Sequence, residues 1–578
     1  MFRRNNRHVQ NSLFGDITNL TPRARADLEA SWAGVFYREF FCRLDEQPFA
    51  VLYSGKDSRP NTPVNVLIGL EVLKSGFGWS DAEMYDHFRF DVQVRFALGL
   101  RTLGEGEFDL RTVYNLRRRL SQHRAEKGVN LLDQAFADIS DEQVSAFQLQ
   151  THCLRMDSTQ VASNIARMAR VELLVEILQR VHRMLSEVDQ ERYAELLAPY
   201  LRGSSSQYMY HLRGEDTKPH LQCIGEAMHR LLVELASTYG EHDTYLMLQR
   251  VFLEQYDIQA DPVRPKPGQA ISPRRLRSPD DPEATYRRKG SQAYEGFVAN
   301  VTETCTPDNP LQLITKVQVA PNVTEDTTLL AEALPELKAR TGVNVLYTDA
   351  GFCGADADAV LHEQHVEQVP TDLRGRAPNP ERLNLADFAI QSDAQGQPQQ
   401  ITCPQGHTVP VETGDKAGHF AALFAANTCL GCPQADRCPT RKRQRDGRRS
   451  LGFDQRQLDI AQRRRRSAAY RKAGQNLRSA IEATIGAIKR PFTDDQLPVR
   501  GCFRLAMVLI GAAAMVNIRR IQRYLSGQGA PKPAPQGAEC SARRAEAEQD
   551  SPVSLFGRAL LRLLAPLGRL QPLFALSC

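Results

Sequence analysis

Several features that define large classes of protein are missing from this sequence. Its 12 cysteines in 578 residues are too sparse for a disulfide scaffold, so clustered cysteines are better interpreted as metal ligands. The longest apolar run, Leu505–Val516, is 12 residues long, which is too short to span a bilayer. No apolar segment follows Arg3 and Arg4, so we expect no signal peptide. These absences predict a soluble intracellular protein without a membrane partner.

The short motifs of several enzyme classes are also missing. The sequence contains no Walker A loop, no G-x-G-x-x-G, no H-E-x-x-H and no G-x-S-x-G, which argues against kinases, dehydrogenases, zinc proteases and serine hydrolases. The net charge of +5, from 73 basic and 68 acidic residues, says little about a partner. A hydrophobic fraction of 42% and a charged fraction of 24% are typical of an ordinary globular chain. At about 150 residues per domain, the length predicts three or four domains.

Hydrophobic periodicity suggests how the chain is organised. His152–Asp157 is predicted to be a short strand that ends in a carboxylate. Further on, Val343, Val345 and Tyr347 alternate and deliver Asp349 at the end of a second strand. The order strand, strand, helix, strand predicts an α/β core. We divide the chain into an all-α N-terminal domain (1–145), a first part of the core (146–161), a helical insertion (162–260), a second part of the core (261–375), a cysteine-bearing insertion (376–460), C-terminal core helices (461–525), and a linker with an amphipathic tail (526–578).

A third carboxylate is predicted on a helix from about Leu458 to Lys489. Steps of four and seven residues place Arg478, Glu482 and Lys489 on one face of that helix. Two strand-end aspartates and a facing glutamate can hold two divalent cations, as in-line phosphoryl transfer requires. Oxygen ligands of this kind suit Mg²⁺ or Mn²⁺. Each carboxylate alone would more often be a turn residue or a surface ion pair, so the hypothesis depends on their joint placement.

In these motifs the chain resembles the DDE transposases of bacterial insertion sequences, in the branch with a helical N-terminal region and a cysteine-bearing insertion. Four segments match in the right order over about residues 60–525: Met156-Asp157-Ser158-Thr159, Ser278–Ala284, Tyr347–Phe352 and Arg478-x3-Glu482-x6-Lys489. The resemblance implies an RNase H-like catalytic core. The family often has a tyrosine three residues before the arginine, where this chain has Gln475.

The resemblance also implies roles for individual residues. Asp157, Asp349 and Glu482 would be the catalytic, metal-binding triad, and Arg478 and Lys489 would contact DNA near the cleavage site. The N-terminal helices would read the terminal inverted repeats of the element. Bringing two ends together implies at least a homodimer on DNA, in the bacterial cytoplasm and associated with the nucleoid.

Four clustered cysteines form a second candidate site. Cys429, Cys432 and Cys438 lie downstream of Cys403, and the turn formers around them could bend the chain about a metal ion. Four sulfurs suit tetrahedral Zn²⁺, so we predict a small zinc-ribbon-like insertion, with His407 as an alternative ligand. The other interpretation is four reduced cysteines in a flexible loop.

Basic residues are concentrated just before Glu482. Between Arg441 and Lys472 there are 13 basic and 3 acidic residues, a net charge of +10. Such a cluster is usually a solvated surface, but its position favours phosphate binding. The residues predicted to bind DNA here and in the following helix are Arg463, Arg464, Arg465, Arg466, Arg478, Lys489 and Arg490.

The sequence therefore predicts a DNA transposase that uses Mg²⁺ or Mn²⁺ for cleavage and strand transfer at the ends of its element. Two alternatives stay open. One is a non-catalytic DNA-binding protein derived from a transposase. The other is a metal-dependent nuclease without strand transfer, which would share the same carboxylates.

Overall fold

A computed structural model describes residues 1–9, 15–17, 19–56, 59–212, 217–258, 263–373, 378–393, 396–414, 416–473, 477–493 and 496–527. Met1–Tyr524 form one unit of the chain, and Leu525–Cys578 form another, of which only the first three residues are described. Gln475 lies outside the described residues. So does the predicted tail, except for its first two residues, which form the end of the last helix. The described residues before the first core strand contain seven α-helices: α1 (Pro22–Ala30), α2 (Trp32–Phe36), α3 (Val64–Phe77), α4 (Asp81–Phe90), α5 (Val92–Ala97), α6 (Arg111–Lys127) and α7 (Leu131–Ala146).

The first core strand leads into a helical insertion. Strand β1 (Cys153–Val161) runs four residues beyond the predicted end at Asp157, because it pairs with an antiparallel neighbour as far as Val161. The insertion has its own apolar core, in which Leu174, Ile224 and Leu248 are fully buried. Its elements are α8 (Arg170–Met184), α9 (Glu187–Arg192), α10 (Ala194–Leu197), α11 (Ser205–Tyr210), α12 (Thr217–Tyr239), α13 (Asp243–Gln255), β2 (Tyr256–Asp257) and β3 (Arg264–Pro265).

The central sheet is mixed. It contains β1 together with β4 (Thr285–Lys289), β5 (Gln292–Thr304), β6 (Ile314–Pro321), β7 (Val345–Thr348) and β8 (Glu367–Pro370), and its helices are α14 (Asp326–Thr341) and α15 (Ala355–Glu363). The strand order is β4-β5-β1-β7-β8, with β6 also paired to β5. Strand β1 is antiparallel to β5 and parallel to β7. This arrangement confirms the predicted α/β class.

The cysteine-bearing segment folds into a separate antiparallel sheet. Its elements are β9 (Ala389–Ser392), β10 (Pro398–Thr402), β11 (Thr408–Thr413), β12 (His419–Phe424), α16 (Ala426–Leu430), β13 (Arg441–Lys442) and β14 (Arg449–Asp454). The strand order is β13-β14-β12-β11-β10-β9. Phe388, Ile401 and Ala422 form its buried apolar core.

Three helices close the described chain: α17 (Gln455–Ala473), α18 (Ala480–Lys489) and α19 (Cys502–Gly527). The prediction of one helix over 458–489 is wrong, because α17 and α18 are separate and Arg478 lies in the turn before α18. Helix α19 is long and apolar enough to cross a membrane by length and composition alone, yet 78% of its most apolar window is buried. It packs against α3, where a Cβ at Gly76 would lie 2.1 Å from the side chain of Met515. Helix α19 is therefore a core helix of this fold.

Helices cover both faces of the central sheet. On one face, Leu154 and Met156 of β1 pack against buried leucines of α14 and α15. On the other, Val161 belongs to the same apolar cluster as Ile485 and Ile488 of α18 and the buried residues of α19. Because side chains alternate along a strand, Arg155, Asp157 and Thr159 share the face of β1 opposite to Leu154 and Met156. Helix α18 and its glutamate lie on that second face.

Candidate active site

Two of the predicted carboxylates meet at one edge of the central sheet. Arg155 of β1 lies opposite Tyr347 of β7 in the parallel register, so Asp157 and Asp349 each follow two residues later. The Asp157 carboxylate accepts a hydrogen bond from the amide of Ser158 at 2.9 Å. The Asp349 carboxylate accepts one from the amide of Gly351 at 2.7 Å, which caps the turn after β7. Asp157 lies within β1, just beyond the point where its parallel pairing with β7 ends, and Asp349 directly follows β7. The two aspartates therefore lie side by side at the carboxyl end of this paired segment, a position where α/β proteins commonly bind ligands.

Arg478 connects these aspartates to Glu482. Its guanidinium donates to Asp157 Oδ2 at 2.7 Å and lies 3.5 Å from Glu482 Oε1. Burial of Arg478 opposes its charge, but Asp157, Asp349 and Glu482 together raise the pKa of the guanidinium above its ordinary value. The Glu482 side chain is 67% exposed, so it stands at the open side of the site. The structure thus places Asp157 and Glu482 in contact with one arginine, with Asp349 on the neighbouring strand.

The buried position of Asp157 changes its acidity. Burial raises the pKa of Asp157 above its ordinary value; the Arg478 charge opposes the rise and the Asp349 charge adds to it. A carboxylate held this way gains from a cation beside it, because the cation offsets the cost of desolvation. Among the described residues, however, no three His, Cys, Asp or Glu side chains are arranged closely enough to hold a metal ion.

A buried carboxylate that sequence reasoning missed lies beneath the site. Glu303 of β5 is fully buried, and Arg155 Nε and Arg520 Nη1 each donate to it at 2.6 Å. The Thr484 hydroxyl of α18 lies 2.9 Å from one oxygen of Glu303 and 3.0 Å from the other. Arg155 also donates to the carbonyl of Leu477 at 2.6 Å. This network, the Glu303 cluster (Arg155, Glu303, Thr484 and Arg520), ties β1, β5, α18 and α19 together within two residues of both Asp157 and Glu482. Strand alternation, which puts Arg155 on the face of Asp157, is the signal that could have found it.

Lys489 lies farther along the same strand. Its ammonium is 3.2 Å from the Thr159 hydroxyl and 3.2 Å from the carbonyl of Gln160. Thr159 follows Asp157 by two residues and therefore shares its face of β1. The neighbouring Arg490 is exposed. Arg478 at Asp157 and Lys489 at Thr159 thus place two positive charges along the second half of β1.

The four arginines of α17 do not form one exposed surface. Arg463 is 8% exposed and makes an ion pair with Asp358 of α15. Arg463, which was predicted to bind DNA, is instead engaged inside the fold, where its charge joins α17 to the core. Arg464 is half-buried and Arg465 exposed. Arg466 pairs with Glu367 at 3.1 Å and is partly exposed.

The four cysteines of the insertion converge on one cavity. Cys403, Cys429, Cys432 and Cys438, called the four-cysteine cluster below, line a space of about 30 Å³ together with His407. All four are free of disulfide bonds. Burial raises the pKa of the Cys429 thiol above its ordinary value, and the other three sulfurs add to the rise. The donor set suits zinc, but the described side chains do not reach a metal-binding arrangement, so zinc stays a prediction.

Two carboxylates on neighbouring parallel strands and a glutamate on a facing helix are typical of metal-dependent phosphoryl-transfer enzymes. Residues 402–522 match the family described as a transposase DDE domain. The match includes Glu482, Arg478, Lys489 and the four-cysteine cluster, but not the segments that carry the two aspartates. It confirms the resemblance to DDE transposases and supports a transposase-type function, which suggests DNA phosphoryl transfer and a divalent cation. Comparison with curated proteins and with solved structures found no match.

Proposed function

We propose that this protein is a DNA transposase that cleaves the ends of an insertion sequence and transfers them to target DNA. The observation that carries the proposal is the contact of Arg478 with both Asp157, at 2.7 Å, and Glu482, at 3.5 Å, while strand register places Asp349 beside Asp157. The mixed sheet that presents them is, in this proposal, the RNase H-like core. The terminal inverted repeats and the target are the DNA partners, and two chains would act together on two ends.

The metal requirement follows from the donor chemistry. Asp157, Asp349 and Glu482 offer only oxygen ligands, which suits Mg²⁺ or Mn²⁺, and they would hold the cations. Two divalent cations held by these carboxylates would supply activation of the attacking oxygen and stabilisation of the leaving oxygen in an in-line displacement. Arg478 neutralises two of the carboxylates in the DNA-free chain and, with Lys489, offers positive charge to the phosphate beside Asp157. Binding of cations therefore competes with the Arg478 ion pairs.

Zinc at the four-cysteine cluster is a separate part of the proposal. Its support is the convergence of four sulfurs that lie up to 35 residues apart in sequence on a single small cavity. A tetrahedral zinc site would cross-link the turn after β10 to the segment around α16, as structural zinc does in small modules. The role is structural, since the cluster lies in the separate sheet of the insertion.

The deciding experiment incubates the full chain with DNA that carries the inverted repeats flanking its gene, with Mg²⁺ or with EDTA. We expect cleavage and strand transfer with Mg²⁺, and neither with EDTA nor in Asp157→Asn or Glu482→Gln. Glu187→Gln, in an exposed position on α9, is the matched control and should retain full activity. Strand transfer that survives in Asp157→Asn or Glu482→Gln would contradict the assignment of the triad.

The products separate the alternatives. Cleavage without joining would favour a metal-dependent nuclease. Binding to the repeats with no metal-dependent cleavage in the wild-type chain would favour a DNA-binding protein derived from a transposase.

A further inference from the structure

A second basic site lies between the N-terminal helices and α19. It is a cleft of about 640 Å³ lined by α3, α4, α6, Asn164, the beginning of α19 and the segment that precedes α19. Its lining includes five basic and two acidic side chains, a net charge of +3. We call it the α6–α19 cleft. Neither the candidate active site nor the basic run before Glu482 contributes a residue to its lining.

The acidic residues of the cleft are already paired. Arg117 donates to Glu71 and to Asp81 at 2.7 Å each, and Lys74 donates to Asp81 at 2.6 Å. Burial alone would raise the pKa of Asp81, but hydrogen bonds from Arg117 and Lys74 outweigh it and hold that pKa well below its ordinary value. These ions therefore neutralise one another inside the wall of the cleft. The excess positive charge comes from the other three arginines of the lining.

Those three arginines, Arg118, Arg500 and Arg504, are exposed. Arg118 and Arg504 form no ion pair with any other residue that the structure describes. Arg500 lies 3.5 Å from Asp280 and is 45% exposed, a contact that solvent weakens. The cleft therefore presents unneutralised guanidinium groups to solvent. Such groups can neutralise the phosphates of a nucleic-acid backbone, whatever its sequence.

The segment from Asp157 to Asn164 connects the candidate active site to the cleft, because Asn164 is one of the residues that line the cleft. Lys489 contacts Thr159 and Gln160, as described above. Next along the chain, the amide of Leu497 donates to the carbonyl of Ala162 at 2.9 Å. Arg500 Nε then donates to the carbonyl of Asn164 at 2.6 Å. Two basic side chains, Lys489 at Thr159 and Arg500 at Asn164, thus contact the segment that leads from Asp157 to the cleft.

The length of this path sets a scale. Residues 157 to 164 span at most about 25 Å if fully extended, which equals about seven base pairs of B-DNA at 3.4 Å each. A duplex whose scissile phosphate lies at Asp157 would therefore reach the cleft within that distance. The positive charge at Lys489, between the active site and the cleft, favours a duplex over a small anion as the ligand, because a small anion in the cleft would not contact it.

We propose that the α6–α19 cleft binds the phosphate backbone of the duplex that continues from the cleavage site, with Arg118 and Arg504 as contacts. This inference rests on the proposed function, because the duplex is placed from the catalytic carboxylates. It adds a DNA contact on α6 and α19 to those of the catalytic region. The contact is made to phosphates, so it contributes affinity and register and no sequence specificity.

The test compares Arg118→Gln/Arg504→Gln with the wild-type full chain. Binding of a duplex that carries the terminal repeat is measured by fluorescence anisotropy from about 0.05 to 0.3 M KCl. Loss of two phosphate contacts should reduce the slope of log K against log salt by about 1.8, since each contact contributes about 0.9. The matched control is Arg183→Gln/Arg230→Gln, two arginines of the helical insertion that are 60% and 57% exposed, which should leave the slope unchanged.

A shortened duplex locates the contact. When the DNA on the cleft side is cut to about half of the seven base pairs, wild type and double variant should bind equally, because the contacted phosphates are gone. If the wild type binds no DNA, the proposed function fails. If the wild type binds DNA and the double variant keeps the same salt slope, or if the difference persists on the shortened duplex, the cleft assignment is wrong while the proposed function stands. Equal melting temperatures of the two double variants and the wild type confirm that all three are folded.

Discussion

Replacing Thr484 by valine tests whether the Glu303 cluster holds the glutamate-bearing helix in place. Thr484 is 1% exposed, and its hydroxyl lies about 3 Å from both oxygens of the fully buried Glu303. Valine has the same shape but sets a methyl group against a buried charge. A hydrogen bond to a charged group contributes about 1.5–3 kcal/mol, so Thr484→Val should lower the free energy of unfolding by that amount. Arg155 and Arg520 still neutralise Glu303, so the variant should fold.

The catalytic consequence follows from the position of Glu482 two residues earlier on the same helix. A displacement of about 1 Å at a reacting group can cost about 100-fold in rate. We expect Thr484→Val to slow single-turnover cleavage by roughly 10- to 100-fold at saturating protein, with unchanged affinity for DNA, because it touches no DNA-facing side chain. Urea denaturation measures the stability, and a quenched time course measures the rate.

Two control variants separate positioning from loss of stability. Thr484→Ser keeps the hydroxyl and should retain most of the rate. Ile488→Val removes one buried methyl group from α18 at a cost of about 0.5–1.5 kcal/mol without touching Glu303, and should also retain the rate. The reasoning is refuted if Thr484→Val unfolds at the same urea concentration as the wild type, or if serine and valine slow cleavage equally.

Three further changes have defined outcomes. Arg463→Gln leaves the largely buried Asp358 without its partner, so urea denaturation should show a loss of about 3 kcal/mol, whereas the same change at the exposed Arg465 should cost about 1 kcal/mol or less. The hydrogen bond to Asp459 raises the pKa of His362 above 6.5. That contact therefore stabilises the fold below about pH 6.5 and is lost as the pH rises through the raised value, so His362→Gln should lower the melting temperature more at acidic than at alkaline pH. For the four-cysteine cluster, metal analysis should find about one zinc per purified chain and well under one after Cys429→Ser.

Local sequence patterns predicted those elements of the fold whose structure is determined by nearby residues alone. Alternation of Val343, Val345 and Tyr347 predicted β7 and the position of Asp349 at its end, as the structure has them. The end of β1 was predicted too early, because β5 supports the strand as far as Val161 and a pairing partner some 140 residues away leaves no local signal. The core helices next to Glu482 show the same limit, since one periodic stretch covers both α17 and α18.

The sequence predicted the three carboxylates of the candidate site but not the buried Glu303 cluster beneath them. Asp157, Asp349 and Glu482 stand in motifs whose order along the chain carries information. Glu303 stands in no motif, and its importance depends on two arginines that reach it from β1 and α19. A buried charge of this kind is visible only when the partners that neutralise it are in place.

The basic run before Glu482 shows why a charge sum along the sequence misleads. Its +10 over 32 residues suggested a continuous phosphate-binding surface. In the structure, three of its arginines pair with acids about 100 residues earlier: Arg463 with Asp358, Arg466 with Glu367, and Arg471 with Asp372. The α6–α19 cleft is the opposite case, because Arg118 and Arg504 are distant in sequence and add their charges in space. A phosphate is attracted by the charges that lie near it in space, whether or not they are close in sequence. The salt slope of DNA binding should therefore depend more on Arg118 and Arg504 than on Arg463, although only Arg463 belongs to a conspicuous run.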